Sequence, residues 1–226
     1  MTPVVLVHGI RTSGSMWDPQ LDDLRAAGFD PMAIDLPGHG ERREEEFSLA
    51  GAISVIHAAL REAGGRAHLV GSSLGGMLAI HAAGTAPELV SSLVACACST
   101  QPLPLTAGAY ARGLSASSHF PEGVSRRLVG TVGAKALWRK GRAEPATVSK
   151  ALTAIAQVNL RADLAKTTGP VTILNPKFDQ FRWQERQFAA AAPQGKLVVL
   201  PFGMHLVNVT HPKRYNHALI SALQHR

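Results

Sequence analysis

The sequence predicts an α/β protein: a doubly wound, mostly parallel sheet of about six strands, helices on both faces, and a helical cap. Three observations predict it. Short apolar runs alternate with stretches of helical period, a pattern that calls for parallel strands joined by crossover helices. The chain has 226 residues and 46% hydrophobic content, enough for one full core. The segment Gly71-Ser72-Ser73-Leu74-Gly75 links an apolar run to the helix-forming Met77-Leu78-Ala79-Ile80. Its glycines permit a very tight strand-to-helix turn, with the serine held at a helix N-terminus whose amides favour negative charge.

The elements follow in order. Pro3 to Val7 is a short apolar strand that ends at His8-Gly9. A helix is expected from about Met16 to Ala27: Ser15 and Asp18 have capping-box spacing, Trp17, Leu21 and Leu24 share a face, and Gly28 stops it. Pro31 to Leu36 is the second strand, followed by the turn Pro37-Gly38-His39-Gly40 and the charged loop Glu41 to Glu46. Ser48 is placed to cap a helix carrying Leu49, Ile53, Ile56 and Leu60, which Gly64-Gly65 ends. Ala67 to Val70 feeds the serine turn, and Leu89 to Cys98 supplies a fourth strand.

From about Ser99 to Thr168 the alternation breaks. That segment has no strand pattern, several Gly and Pro, and helix-like stretches such as Ala146 to Leu164. It reads as a cap over the C-terminal edge of the sheet, so residues 1–98 and 169–226 form the core and 99–168 the insertion. The layout resumes with Val171 to Leu174, a helix around Trp183 to Ala191, and a strand from Lys196 to Leu200. A last helix starts at Pro212, a residue suited to a first turn.

Charge narrows the function classes. The formal net charge is +7. Between Gln101 and Pro170 there are ten Lys or Arg against three acids, a difference that equals the whole net charge. That segment lacks interleaved aromatics and any nucleic-acid motif, so no nucleic-acid partner is expected. A solvated basic surface is the favoured reading, and steering of an anionic substrate the other. Cys96 and Cys98 lie two apart in an apolar run and read as reduced core residues. With no leader before the first strand and no run of membrane-spanning length, a cytoplasmic protein acting on a small molecule, with no membrane partner, is expected. Nothing in the sequence bears on oligomeric state.

Serine is a poor nucleophile unless a base takes its proton and a third group orients that base. Loops after parallel strands converge on one edge, so partners for Ser73 should follow later strands. Asp179 follows the strand ending at Leu174, and His205 follows the one ending at Leu200. A tetrahedral intermediate also needs amide donors. The N–H of Leu74 is one; the other is assigned to Ile10, after Gly9, with Arg11 as the near alternative. His8 is expected to orient that loop. The pocket candidates are His8 itself, Arg11, Ser72, Met77 and Met204. The ten histidines include no His-Glu-x-x-His spacing, and the glycines of the turn fit neither a phosphate loop nor a dinucleotide fingerprint. No metal or organic cofactor is therefore expected.

Five segments in this order resemble the α/β-hydrolase superfamily: Val5-Leu6-Val7-His8-Gly9 with Trp17, Asp35-Leu36-Pro37-Gly38-His39-Gly40, Gly71 to Gly76, Asp179 after a late strand, and Gly203-Met204-His205 with Pro212 downstream. The likeness covers nearly the whole chain except the cap. It implies the α/β-hydrolase fold lacking the two strands that usually come first. The Leu74-Gly75-Gly76-Met77 segment and the Ala26-Ala27-Gly28-Phe29 helix ending are similar to the small methylesterase and hydroxynitrile-lyase branch. The chain departs from the family pattern at Ser72, at Met204, which is expected to narrow the pocket, and at Pro176-Lys177-Phe178-Asp179, where Lys177 is placed to pair with the acid. The resemblance implies hydrolysis of a small carboxylic ester, thioester or lactone through an acyl-enzyme on Ser73. The alternatives are a lyase, cyclase or carbon–carbon bond hydrolase on the same residues, or a slow-turnover ligand receptor.

Overall fold

Six strands, β1 (Thr2–Val7), β2 (Phe29–Ile34), β3 (Ala67–Ser72), β4 (Val90–Cys96), β5 (Val171–Pro176) and β6 (Gly195–Leu200), pair in parallel in the order β2-β1-β3-β4-β5-β6. The computed structural model describes residues 1–103 and 122–224. The chain steps outward from β1 to β2, then returns to place β3 on the other side of β1. Loops leaving β1 and β3 therefore diverge, and a crevice opens between them at the C-terminal edge of the sheet.

Strand residues alternate between two apolar layers, as a sheet covered on both faces requires. On one side Val5, Val7, Leu69, Leu93 and Ile173 meet Ile56 and Leu60 of α2 (Leu49–Glu62), Leu78 and Ile80 of α3 (Leu74–Thr85), and Phe188 of α7 (Glu185–Ala191). On the other, Val4, Leu6, Val70 and Val94 meet Trp17, Leu24 of α1 (Asp18–Ala26), and Tyr215, Leu219 and Leu223 of α9 (Pro212–Gln224). Between β4 and β5 run α4 (Glu122–Trp138), α5 (Pro145–Ile155) and α6 (Leu160–Leu164), and α8 (Val207–Thr210) precedes α9. Leu160 and Leu164 of α6 join the first layer beside α3.

Several local expectations need correction. Ser15 caps no helix: Gly14–Trp17 is a 3-10 turn, α1 starts at Asp18, and the buried Ser15 hydroxyl donates to the Ala136 carbonyl at 2.7 Å. The stretch Ala146 to Leu164 is two helices, because Asn159 restarts the chain by accepting from the Ala162 N–H at 3.1 Å. Strand limits move by a few residues: β2 begins at Phe29, and β3 extends to Ser72. Ser48 caps α2 as expected, accepting from the Gly51 N–H at 3.1 Å.

The basic segment faces acids of the core. Arg139 pairs with Asp18 at 3.0 Å, Lys140 with Asp35 at 3.1 Å and Glu41 at 2.8 Å, and Lys150 with Glu46. Lys166 pairs with Asp163 at 3.1 Å, and the Arg142 guanidinium lies 4.5 Å over the Trp138 ring. Each exposed pair contributes little, about 0–1 kcal/mol. Arg112 lies outside the described residues, as do the side chains of Arg126 and Arg127.

Candidate active site

β3 delivers Ser73 to the edge of the crevice in a backbone conformation that side chains rarely adopt, with φ 55° and ψ −122°. The turn tolerates only glycine on either side. A Cβ at Gly71 would stand 2.2 Å from the Gly75 carbonyl oxygen, and one at Gly75 would stand 2.3 Å from that of His8. The strained turn lifts the serine side chain clear of the sheet, and Leu74 behind it is the first residue of α3. Its N–H therefore has no partner inside the helix.

The loops after β5 and β6 reach the same point. The Ser73 hydroxyl donates to His205 Nε2 at 2.9 Å, and His205 Nδ1–H donates to Asp179 Oδ2 at 2.9 Å. The Asp179 side chain is fully buried, and its other oxygen accepts from the Phe181 N–H at 2.6 Å. The Phe181 ring stands edge-on to the His205 imidazole, with centroids 5.0 Å apart. Lys177 does not pair with Asp179: its ammonium lies 5.5 Å from the centre of the Phe178 ring. Adjacent residues on this turn point in different directions, which sequence distance alone does not reveal.

Beside Ser73 is a mostly apolar cavity of about 200 Å³, lined by Ile10, Leu74, Met77, Leu152, Ile155 and Phe181, together with Thr100, Gln101 and Pro102. Of the five pocket candidates only Met77 lines it. Met204 is 67% exposed and turned outward past Gly203, whose φ of +80° redirects the chain. Ser72 is buried at the end of β3. The amide of Arg11 donates to His39 Nε2 at 3.4 Å, whereas that of Ile10 meets no acceptor among the described residues. Burial, with Arg142 nearby, lowers the Arg11 pKa.

His8 lies beneath this loop rather than in the cavity. Its Nδ1 donates to the Gly9 carbonyl at 2.7 Å, and its Nε2 accepts from the Leu36 N–H at 3.1 Å. Burial, helped by neighbouring His39, lowers its pKa to about 3, so the ring is neutral. His39 packs against it with ring centroids 5.0 Å apart and donates to the Pro37 carbonyl at 3.0 Å; burial lowers its pKa as well. Asp35 accepts from the Gly14 and Glu41 N–H groups at 2.6 and 2.9 Å. Burial opposes its charge, but those donors and Lys140 outweigh it and lower its pKa. Together these groups fasten the loops after β1 and β2. The sequence displays Asp35 and His39 within one motif, yet nothing local assigns them this work. Leu152 and Ile155 could be found only as apolar positions of an amphipathic helix.

Comparison with known proteins places the chain. It matches the alpha/beta hydrolase family over residues 4–218, and it belongs to that family. It is similar to a pimeloyl-acyl-carrier-protein methyl ester esterase of Nitrosomonas europaea, 26% identical, covering 94% of this chain and 92% of the relative. The enzyme of that name from Aliivibrio salmonicida is 27% identical over 78% of this chain and 74% of its own length. A solved thermophilic esterase from Thermogutta terrifontis shares the fold, with a TM-score of 0.79 at 22% identity, covering 99% of this chain and 90% of that one. Among the described residues no helix is long and apolar enough to cross a membrane, and no group of three His, Cys, Asp or Glu is placed to hold a metal ion.

Proposed function

We propose that the protein is a serine hydrolase that cleaves a small carboxylic ester, thioester or lactone through an acyl-enzyme on Ser73. The continuous hydrogen-bonded line from Ser73 through His205 to Asp179 carries this reading. In it the hydroxyl attacks the substrate carbonyl while its proton passes to His205 Nε2. Asp179, buried and hydrogen-bonded to Nδ1–H, holds the required tautomer and stabilises the imidazolium. The oxyanion is received by the N–H groups of Leu74 and Ile10. His205 then returns the proton to the leaving group, and water repeats the sequence to free the acid.

The cavity walls favour an apolar acyl or alkyl chain, because an ionised group placed against Met77, Leu152 and Ile155 would lose its hydration without gaining a partner. Residues 99–168 serve as the cap in this reading: α5 contributes Leu152 and Ile155 to the cavity, while α6 packs on the core. The names of the curated relatives support ester hydrolysis. The narrower likeness to the small methylesterase and hydroxynitrile-lyase branch has no support among the relatives named above. Reaction with a fluorophosphonate probe tests the proposal: the protein should label, and Ser73→Ala should not. Turnover of p-nitrophenyl butyrate should fall about 10⁴-fold in that variant. A variant keeping more than about a tenth of the activity would exclude the covalent route and favour His205 acting alone as a base.

A further inference from the structure

Asp179 sits in the middle of a ten-residue loop, from Pro176 to Glu185, and the ends of that loop are tied together. Glu185 opens α7 and takes both ends of the Arg182 fork: Nε at 2.9 Å on Oε2 and Nη2 at 2.6 Å on Oε1. The third nitrogen of the same guanidinium donates to the Lys177 carbonyl at 2.5 Å, two residues before Asp179. Glu185 Oε2 also accepts from Asn175 Nδ2 at 3.0 Å, and this fully buried asparagine belongs to β5. Asn175 Nδ2 donates as well to the buried Ser99 hydroxyl at 2.6 Å, and that hydroxyl donates in turn to the Phe181 carbonyl at 3.3 Å. The N–H of the same Phe181 holds Asp179 Oδ1. The sheet edge, both flanks of the loop and the carboxylate thus form one polar network.

A planar, bidentate ion pair that is mostly shielded from water holds its geometry far better than an exposed pair. The Arg182 and Glu185 side chains are 26% and 14% exposed. The loop has no glycine within it, and Pro176 heads the turn by accepting from the Asp179 N–H at 3.2 Å. We infer that Glu185 and Arg182 are positioning residues that aim the Asp179 carboxylate at His205. This rests on the acyl-enzyme reading, in which the acid stabilises the imidazolium; neither residue touches substrate.

Steady-state hydrolysis of p-nitrophenyl butyrate across pH tests the inference in Glu185→Gln, Arg182→Met and Arg182→Lys, with Asp179→Asn alongside. Glu185→Gln and Arg182→Met should each lower kcat about tenfold, with KM within about twofold, since a small misplacement of a reacting group is costly. The acid limb of kcat should move to lower pH, because a poorly aimed carboxylate stabilises protonated His205 less. Arg182→Lys should retain more activity than Arg182→Met. The double variant should be no worse than the worse single one, because both changes break the same brace. Unchanged kcat and an unmoved acid limb in folded Glu185→Gln overturn the inference, and so does a loss that follows only the melting temperature. Should Glu185→Gln not fold, Arg182→Met decides by the same limb: a shift supports the brace and no shift overturns it. Full activity in Asp179→Asn would instead mean that another carboxylate orients His205, which overturns the brace, whereas an active Ser73→Ala variant would sink the acyl-enzyme reading itself. An inactive Asp179→Asn beside unaffected brace variants overturns the brace alone.

Discussion

At the scale of single residues, the site depends on atoms placed to within a few tenths of an ångström by backbone that resists adjustment. Ser73 is held at φ 55° because Gly71 and Gly75 let carbonyls approach where any side chain would collide. Asp179 is the more informative position to change. Asp179→Asn preserves volume, but an asparagine presents its NH₂ or its oxygen to His205 without the charge that favours the productive tautomer. Turnover should fall roughly 10³- to 10⁴-fold while the melting temperature moves little. Rates measured beside a thermal melt check this, and full activity would mean that another carboxylate orients the histidine.

At the scale of elements, helix ends and loop ties set how firmly the frame holds the site. α2 begins at Ser48, whose hydroxyl accepts from the Gly51 N–H while its carbonyl accepts from the Ala52 N–H. Ser48→Ala should lower stability by about 1 kcal/mol with kcat unchanged, since α2 contributes no residue to the lining of the cavity. The urea midpoint at pH 7 measures it, and a change in kcat would show that α2 moves with the site. The loops after β1 and β2 are tied differently, by neutral histidines and by Asp35, so their firmness depends on protonation.

At the scale of the whole molecule, that dependence becomes a pH effect. His8 has a folded pKa of about 3 and an ordinary value of 6.5 when exposed. Between those values the unfolded chain binds the proton and the native protein does not, so stability falls as pH falls. The slope is about 1.4 kcal/mol per pH unit for one such group, and His39 adds in the same direction. Stability should therefore be full above pH 6.5 and decline steadily towards 3; equal urea midpoints at about pH 7 and pH 5 would contradict a neutral His8. Charge makes a second whole-molecule prediction. Arg139, Lys140, Lys150 and Lys166 are already paired with acids, so little of their field is free to guide an anionic substrate. Raising salt from about 0.05 to 0.5 M should change kcat/KM alike for an anionic and a neutral ester. A fall confined to the anionic ester would restore the steering reading.

The sequence by itself determined the sheet, its parallel sense and the main crossover helices outside residues 99–168, because apolar period and turn chemistry are properties of neighbouring residues. The convergence of Ser73, Asp179 and His205 follows from the same logic, since each comes shortly after a strand and parallel strands end at one edge; their roles rest on the experiments above. Only the tertiary structure decided which side chains meet across long separations. Lys177 turned to Phe178 instead of Asp179, and Met204 turned outward instead of into the cavity. The basic segment found its acids at Asp18, Asp35, Glu41 and Glu46. Asn175 reached Ser99, and Gln101 reached the Val158 carbonyl and the Leu160 N–H, joining elements that no local pattern relates. The physical reason is that a side chain's partner depends on which backbone segments packing brings within hydrogen-bond range, and on the direction in which the turn before it leaves the chain.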